Sequence, residues 1–170
     1  PQTGQFCVMP AWQPAYIGLG SNLSDPAAQL RQALRGLASL PQTLCVAVSR
    51  LYGSRPMGPP TQPDFVNAVA GLLTRLTALE LLRQLRRIEA QAGRPGVHEH
   101  WGPRVLDLDV LVFGREQCAG PELVLPHPGV VARNFVLYPL ADIAPDLEVP
   151  GRGRVRELLA HVSADGLWPL

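Results

Sequence analysis

The chain has 170 residues, a length that suits a single domain with one hydrophobic core. Its 15 basic residues are all arginine and face 14 acidic residues, which leaves a net charge of +1. This near-neutral charge argues against nucleic acid or an anionic membrane as a partner, and the absence of lysine excludes sites that depend on a phosphate-loop or Schiff-base lysine.

Cysteine spacing and the N-terminal sequence indicate the compartment and the domain limits. Cys7, Cys45 and Cys118 are far apart and show neither zinc-site nor disulfide-framework spacing, which suits a reducing environment. Residues 1–14 lack a basic start followed by an apolar stretch, and no apolar run approaches the ~18 residues of a membrane span. We expect a cytoplasmic, monomeric protein with an N-terminal tail (1–14) and a single domain (15–170).

The first third of the chain predicts a strand, a helix and a second strand. Residues 15–19 (AYIGL) form a short apolar run that a glycine stops. Residues 24–26 (Ser-Asp-Pro) supply helix N-cap and first-turn chemistry, and apolar residues then recur at helical spacing over 27–38 until a proline ends the pattern. Residues 44–51 are apolar and β-branched enough for the second strand.

Two loops alternate with the central elements. Residues 52–64 hold four prolines and two glycines in 13 positions, too many for helix or sheet and typical of a semi-rigid functional loop. A strand over 65–73 and a helix over 78–92 follow. A second loop, 93–104, leads into a strong strand pattern over 105–113.

The remaining sequence predicts a Pro-His-Pro turn, a short helix over 130–138 and an amphipathic piece near 155–160. The element order β-α-β-β-α-β resembles the split unit of ferredoxin-like folds. The predicted fold class is therefore α+β, a ferredoxin-like sandwich in which a mainly antiparallel sheet carries helices packed on one face.

Asp107 and Asp109 interrupt an otherwise apolar strand. Because strand side chains alternate, both carboxylates face the same side, with their Cα atoms ~6.5 to 7 Å apart. Unpaired carboxylates beside a core are costly, and a hard divalent cation such as Mg²⁺ is the usual partner. The alternative is that each aspartate pairs with an arginine such as Arg104, or that this face is solvated.

The neighbouring loop favours the metal. Arg94 opens it and residues 101–104 (Trp-Gly-Pro-Arg) close it, so guanidinium groups and carboxylates lie close together in sequence. A polyphosphate needs both, since Mg²⁺ bridges its oxygens and arginines neutralise developing charge. As ordinary surface residues, Arg94 and Arg104 would need no functional explanation.

Phe65 and Asn67 also lie two apart, at the start of a predicted strand. The shared face would present a ring that can stack on a planar heterocycle and an amide that can pair with its edge. A buried Asn without a partner costs ~1 to 3 kcal/mol, which strengthens the case for a ligand. Ordinary core packing is the alternative for Phe65.

His127 lies between two prolines that restrain its backbone, six residues before Arg133. A restrained histidine near an arginine suits contact with a phosphate or ribose, and a structural hydrogen bond explains it equally well. His98 and His100 are a poor zinc pair, because a single residue separates them and they have no cysteine partner.

A series of ordered motifs resembles the 6-hydroxymethyl-7,8-dihydropterin pyrophosphokinase family over residues 15–147. The most specific is Trp-Gly-Pro-Arg followed by Asp-Leu-Asp. The motifs are YIGLGSNL (16–23), GP (58–59), QPDFVN (62–67), RIE (87–89), GR (93–94), WGPRVLDLD (101–109), PHP (126–128), RNF (133–135) and PL (139–140).

The resemblance implies an enzyme that transfers pyrophosphate from ATP to the hydroxymethyl group of the reduced pterin in tetrahydrofolate biosynthesis, releasing AMP. The implied catalytic residues are Arg94, Arg104, Asp107 and Asp109, of which the two aspartates bind two Mg²⁺ ions. The implied ATP contacts are Glu89, Arg94, Trp101, Arg104, Val110, His127 and Arg133. The implied pterin contacts are Phe65 and Phe135 by stacking, Asn67 at the edge, and Ser54, Pro56, Met57, Gly58 and Trp101.

Four positions depart from what many members of that family carry. Gly96 and His100 stand where the loop often has arginines, Gly129 where a basic residue is frequent, and Ala132 where a polar residue is common. These departures put the strength of ATP binding in doubt and leave the aspartate pair untouched.

The resulting hypothesis is in-line attack of the pterin hydroxyl on the β-phosphorus of ATP, with the loops 52–64 and 93–104 closing to exclude water. No residue stands out as a general base. The first alternative is a non-catalytic ferredoxin-like ligand-binding module in which the aspartates form salt bridges. The second, nucleotidyl transfer on nucleic acid, is disfavoured by the charge.

Overall fold

A computed structural model of the chain describes residues 9–58, 60–93 and 105–170. None of the helices in these ranges is long and apolar enough to cross a bilayer. The elements are β1 (Gln13–Ser21), α1 (Pro26–Ala38), β2 (Thr43–Val48), β3 (Tyr52–Ser54), β4 (Phe65–Thr74), α2 (Ala78–Gln91), β5 (Asp107–Phe113), β6 (Cys118–Ala119), β7 (Val124–Leu125), α3 (Asn134–Ile143), β8 (Glu148–Val149), β9 (Gly153–Arg154), α4 (Val155–Leu159) and β10 (Leu167–Pro169).

The main sheet is antiparallel and has six strands among the described residues. β4 is the central strand, and β1 lies between β4 and the edge strand β5. β2 and β3 both pair with β4, one after the other along its length, and β10 pairs with β3 at the edge. Two short hairpins, β6–β7 and β8–β9, lie outside this sheet. The architecture confirms the predicted α+β class.

Helices cover both faces of the sheet. Leu30 of α1 and Leu85 of α2 are fully buried in one core with Ile17 of β1. Strand residues that point the other way, such as Val69 and Leu111, pack with α3 and α4 in a second core. The prediction of helices on one face therefore describes α1 and α2 only, because the β-α-β-β-α-β unit on which the prediction was based ends before α3.

Both long helices begin as the sequence predicts. The Asp25 carboxylate accepts the backbone N–H of Ala28 at 3.3 Å, and a proline occupies the first turn of α1. At α2, Thr77 and Glu80 form a capping box, in which each side chain accepts the other residue's N–H at 3.2 and 2.7 Å. Caps of this type contribute ~1 kcal/mol each, so local sequence alone selects these helix starts.

Ser49 breaks the strand predicted over 44–51. Its hydroxyl accepts the backbone N–H of Val69 at 2.9 Å, and its own N–H donates to the carbonyl of Val69 at 2.9 Å. The Ser49 hydroxyl thus accepts the hydrogen bond that a backbone carbonyl would accept in a continuous strand. The next strand, β3, begins at Tyr52. The three residues of β3 were predicted as the start of a loop, because their pairing with β4 leaves no pattern in the local sequence.

The helix predicted over 130–138 begins four residues later and ends at Ile143. Residues 127–133 form turns instead, in which the N–H of Arg133 bonds to the carbonyl of Gly129 at 3.0 Å. Arg133 has extended backbone angles and is the N-cap of α3. The start of α3 thereby lies on the same face of the sheet as the side chains of Asp107 and Asp109.

Candidate active site

A cavity of about 260 Å³ lies on the α3 face of the sheet. Its walls come from β1, β4 and β5, the loop after β3, the start of α3 and one residue of α2. The lining residues that the sequence predicted are Ser54, Met57, Gly58, Phe65, Asn67, Asp107, Asp109, His127, Arg133 and Phe135. Those it did not predict are Gly18, Leu19, Gly20, Arg55, Ala68, Arg86, Leu111 and Val136.

Two glycines of β1 form the floor of this cavity. Gly18 lies opposite Asp109 of β5, and Gly20 lies between Asp107 of β5 and Asn67 of β4. A methyl group on Gly20 would sit 3.4 Å from Oδ1 of Asn67, inside the space that the neighbouring polar groups share. Two glycines separated by one residue in a strand place no side chain of their own on one face of that strand. The sequence contains this pattern, but the sequence-based prediction of the site did not include it.

Asp107 and Asp109 face the cavity together. The intervening Leu108 is fully buried in the opposite core with Val110, as strand alternation requires. The Asp109 side chain is 33% exposed, and its Oδ2 lies 3.8 Å from Nε2 of His127. Both carboxylates therefore lie on the cavity side of β5, whereas the Val110 side chain is turned away from the cavity.

His127 is held by two backbone contacts. Its N–H donates to the carbonyl of Leu111 at 2.8 Å, and its Nδ1 accepts the N–H of Gly129 at 2.9 Å. Because Nδ1 acts as an acceptor, the proton of the neutral imidazole resides on Nε2, the atom that faces Asp109. The ring thus presents an N–H donor to the part of the cavity where the carboxylates lie.

Gly129 gives Arg133 its position. A Cβ at residue 129 would lie 2.8 to 3.0 Å from Cδ, Nε and Cζ of Arg133, closer than side-chain contacts normally come. The arginine side chain therefore lies across the bare glycine, with its guanidinium 6.0 Å from the ring centre of Phe135. Gly129, which stands where many members of the family that the sequence resembles carry a basic residue, thus leaves room for the basic side chain of Arg133.

An amide and two aromatic rings form the other side of the cavity. Asn67 is 4% exposed, and its Nδ2 donates to Oγ of the buried Ser54 at 2.8 Å. This bond fixes the plane of the amide. Phe65 and Phe135, from β4 and α3, also line the space, as do Met57 and Gly58 of the loop after β3; Pro56 belongs to that loop but does not line the cavity.

Arg86 links α2 to the carboxylate strand. Its Nη1 donates to the carbonyl of Leu108 at 3.0 Å and contacts Oε1 of Glu89. Glu89 is 1% exposed and does not line the cavity, whereas Arg86 does. Glu89 therefore contacts a cavity-lining residue, Arg86, which no sequence pattern distinguished from the other arginines of α2.

Three predicted site residues, Arg94, Trp101 and Arg104, lie outside the described residues, as do the family departures Gly96 and His100.

The candidate metal ligands of the cavity are the carboxylate oxygens of Asp107 and Asp109. Across residues 9–58, 60–93 and 105–170, no three His, Cys, Asp or Glu side chains converge on one point. Two partly exposed carboxylates on a cavity wall fit Mg²⁺, which keeps several waters and takes further ligands from substrate phosphates. The same pair does not suit structural zinc, which needs four tetrahedral protein ligands.

A polar cluster ties two walls of the cavity together behind it. Asp142 of α3 accepts hydrogen bonds from Nε and Nη2 of Arg50 at 3.2 and 3.1 Å, and from the hydroxyl of Tyr52 at 2.9 Å. Partial burial acts to raise the pKa of the Asp142 carboxyl, but the hydrogen bonds from Arg50 and Tyr52 outweigh it and hold that pKa below its usual 3.8.

Residues 16–145 match the family model described as 7,8-dihydro-6-hydroxymethylpterin-pyrophosphokinase (HPPK). Over 156 residues the chain is 50% identical to 2-amino-4-hydroxy-6-hydroxymethyldihydropteridine pyrophosphokinase of Pseudomonas aeruginosa, a match that covers 91% of this chain and 95% of that protein. The protein of the same name from Haemophilus influenzae is 46% identical over 145 residues, which cover 85% of this chain and 90% of that one.

The fold is similar to solved structures of HPPK-DHPS. The Plasmodium falciparum protein with pterin and p-hydroxybenzoate superposes with a TM-score of 0.71 at 12% identity, over 93% of this chain and 47% of that chain. A structure of HPPK-DHPS in complex with substrates gives 0.66 at 13% identity, over 88% and 43%. This chain thus spans about half the length of those proteins, and at such identities the likeness concerns the fold alone.

Proposed function

Because the chain belongs to the 7,8-dihydro-6-hydroxymethylpterin-pyrophosphokinase family, we propose that the cavity beside Asp107 and Asp109 is where that family's reaction takes place. The chain is an enzyme of folate biosynthesis that transfers pyrophosphate from ATP to 6-hydroxymethyl-7,8-dihydropterin, giving the pterin diphosphate and AMP. One observation carries the choice of site: a carboxylate pair and an aromatic recess with an amide at its edge open into a single cavity.

The pterin binds in the recess formed by Phe65, Asn67 and Phe135. A planar fused ring suits stacking against aromatic side chains, and an Asn amide can both donate to and accept from the edge of such a ring. The bond from Asn67 to Ser54 supports this assignment, since it holds the amide plane before the substrate arrives. Backbone groups of the loop that includes Met57 complete the pocket.

The ATP phosphates bind along the opposite end, beside the two aspartates. Asp107 and Asp109 would hold two Mg²⁺ ions there, and the bound ions would supply positive charge against the negative charge that develops during transfer. Arg133 supplies a guanidinium from the start of α3, and His127 supplies the N–H of Nε2.

Of the remaining predicted ATP contacts, Arg94, Trp101 and Arg104 lie in the undescribed loop. Glu89 contacts the cavity-lining Arg86, and Val110 contributes through its backbone.

The transfer is an in-line displacement. The pterin hydroxyl oxygen forms a bond to the β-phosphorus while the bond from that phosphorus to the oxygen bridging the α-phosphate breaks, so AMP leaves with the bridging oxygen. The hydroxyl proton passes to solvent, and no side chain serves as an obligatory base. The absence of a side chain at Gly20 leaves room for the substrates beside Oδ1 of Asn67, which a Cβ there would approach to 3.4 Å.

The enzyme acts in the cytoplasm as a monomer. The well-separated cysteines, of which Cys45 and Cys118 are free thiols, suit a reducing compartment.

Product analysis tests the proposal directly. Incubation with ATP, Mg²⁺ and 6-hydroxymethyl-7,8-dihydropterin, followed by chromatography, is expected to yield AMP and the pterin diphosphate in equal amounts. ADP in place of AMP would contradict attack on the β-phosphorus. Pterin binding without turnover at saturating ATP and Mg²⁺ would support a non-catalytic ligand-binding module instead.

A further inference from the structure

The last eight residues of the chain, 163–170, connect two separate walls of the substrate cavity. We propose that this segment, called the C-terminal strap below, is a positioning element that keeps the pterin recess at its working width. The proposal rests on the function proposed above, since it concerns how the pterin-binding walls stay in register. One wall is β3 with its following loop, and the other is the start of α3.

On the first wall the strap is bonded to β3 along its whole length. β10 pairs with β3 so that Leu167 lies opposite Ser54. Two further backbone bonds flank this pairing, from the N–H of Arg55 to the carbonyl of Gly166 and from the N–H of Leu170 to the carbonyl of Leu51, each at 3.0 Å. The strap therefore holds the backbone of two cavity-lining residues, Ser54 and Arg55.

Trp168 fastens this pairing by side-chain contact. It lies opposite Gly53, and a Cβ on that glycine would lie only 2.3 Å from Cε2 and Nε1 of the indole. The ring therefore packs directly against the bare backbone of β3. Because neighbouring strand residues point to opposite faces, the indole supports β3 from behind while Ser54 faces the cavity.

On the second wall the strap is bonded to α3. Nδ2 of Asn134 donates to the carbonyls of Ser163 and Asp165 at 3.0 and 2.9 Å. Asn134 is the first residue of α3 and immediately precedes Phe135, which lines the recess. A shift of the strap at this point would be transmitted to the ring of Phe135.

The strap thus couples the Ser54 wall to the Phe135 wall through chain that itself stays outside the cavity. Its strand is three residues long and lies at the edge of the sheet, so few backbone bonds hold it and the Trp168 contact matters more than it would in a longer strand. A displacement of ~1 Å at a substrate-positioning group can cost up to ~100-fold in rate. Trp168 is therefore inferred to be a positioning residue.

The primary test separates the two substrates kinetically. Trp168→Ala is expected to raise KM for the pterin ~10-fold, while KM for ATP stays within about twofold, because the strap touches the pterin walls and not the aspartates. Trp168→Phe keeps an aromatic ring against Gly53 and should recover most of the loss. Asn134→Ala, which loosens the other attachment, should shift the same parameter in the same direction.

A double substitution tests the contact itself. Gly53→Ala introduces a methyl group that collides with the indole, so by itself it should raise KM for the pterin as much as Trp168→Ala does. In the Trp168→Ala background the collision is absent, and the same methyl group should add less than about twofold. Full additivity of the two substitutions would overturn the proposed contact.

Leu34→Ala is the control for general loss of stability. Leu34 belongs to α1 and packs against the core on the opposite sheet face, away from the cavity. When its melting temperature matches that of Trp168→Ala, Leu34→Ala should leave KM for the pterin unchanged. A rise in that KM as large as the one in Trp168→Ala would overturn the positioning role. So would a Trp168→Ala variant in which KM rises equally for both substrates. An inactive wild-type enzyme would instead contradict the function proposed above, so the two failures are distinguishable.

Discussion

Replacing Asp109 by asparagine removes one charge of the carboxylate pair and keeps the shape of the side chain. The Asp109 side chain is 33% exposed, so its field acts in a medium between bulk water and an effective dielectric constant of ~20. Unit charges 4 Å apart interact with ~1 kcal/mol in water and ~4 kcal/mol at that dielectric constant, so a divalent ion would lose ~2 to ~8 kcal/mol. Even the lower value corresponds to ~30-fold in rate.

The assay is AMP formation at saturating ATP and pterin while Mg²⁺ is raised. Asp109→Asn is expected to lower kcat at least ~30-fold, with partial recovery at high Mg²⁺ because the remaining carboxylate still binds the ion weakly. Glu122→Gln, which removes an exposed charge outside the cavity, is the matched control. Retention of more than ~10% of the wild-type rate, less than ~1.4 kcal/mol, would refute the metal-binding role.

Three further substitutions test other contacts. Asn67→Ala should raise KM for the pterin ~10- to 100-fold, because both the substrate edge and Ser54 lose a partner worth ~1 to 3 kcal/mol. Gly129→Ala should displace Arg133 and raise KM for ATP a few-fold (~1 kcal/mol), seen in steady-state kinetics. Asp142→Asn should lower the free energy of unfolding at pH 7; the lowered native pKa makes this difference shrink as the pH falls below 3.8, as urea titrations can measure.

Each of these has an outcome that would contradict it. Asn67→Ala must leave KM for ATP unchanged, so parallel changes for both substrates would speak against edge recognition. Gly129→Ala with unaltered ATP kinetics would mean that Arg133 does not contact the phosphates. A stability difference for Asp142→Asn that persists at pH 2 would show that the carboxylate's charge is not its source.

Strand alternation made the carboxylate pair and the Phe65–Asn67 pair predictable, since a period of two is a local property of the chain. The positions of Gly18 and Gly20 on the same face follow the same rule, but a glycine carries no side chain whose chemistry would indicate a site. Arg86 was not predictable, because its place in the cavity depends on how α2 packs against β5. The same holds for the third and fourth helices, whose face of the sheet no local pattern encodes.

Sequence alone determined β1, β4, β5, α1 and α2, the caps of both helices, the family and the common face of the two aspartates, because each depends on residues that are neighbours along the chain or on motifs read in order. Tertiary structure decided which of these surfaces meet. The approach of Phe135 to Phe65, of Arg133 to Gly129 and of the C-terminal strap to β3 is set by packing between distant segments, where excluded volume and backbone pairing act across sequence separations that periodicity does not sense.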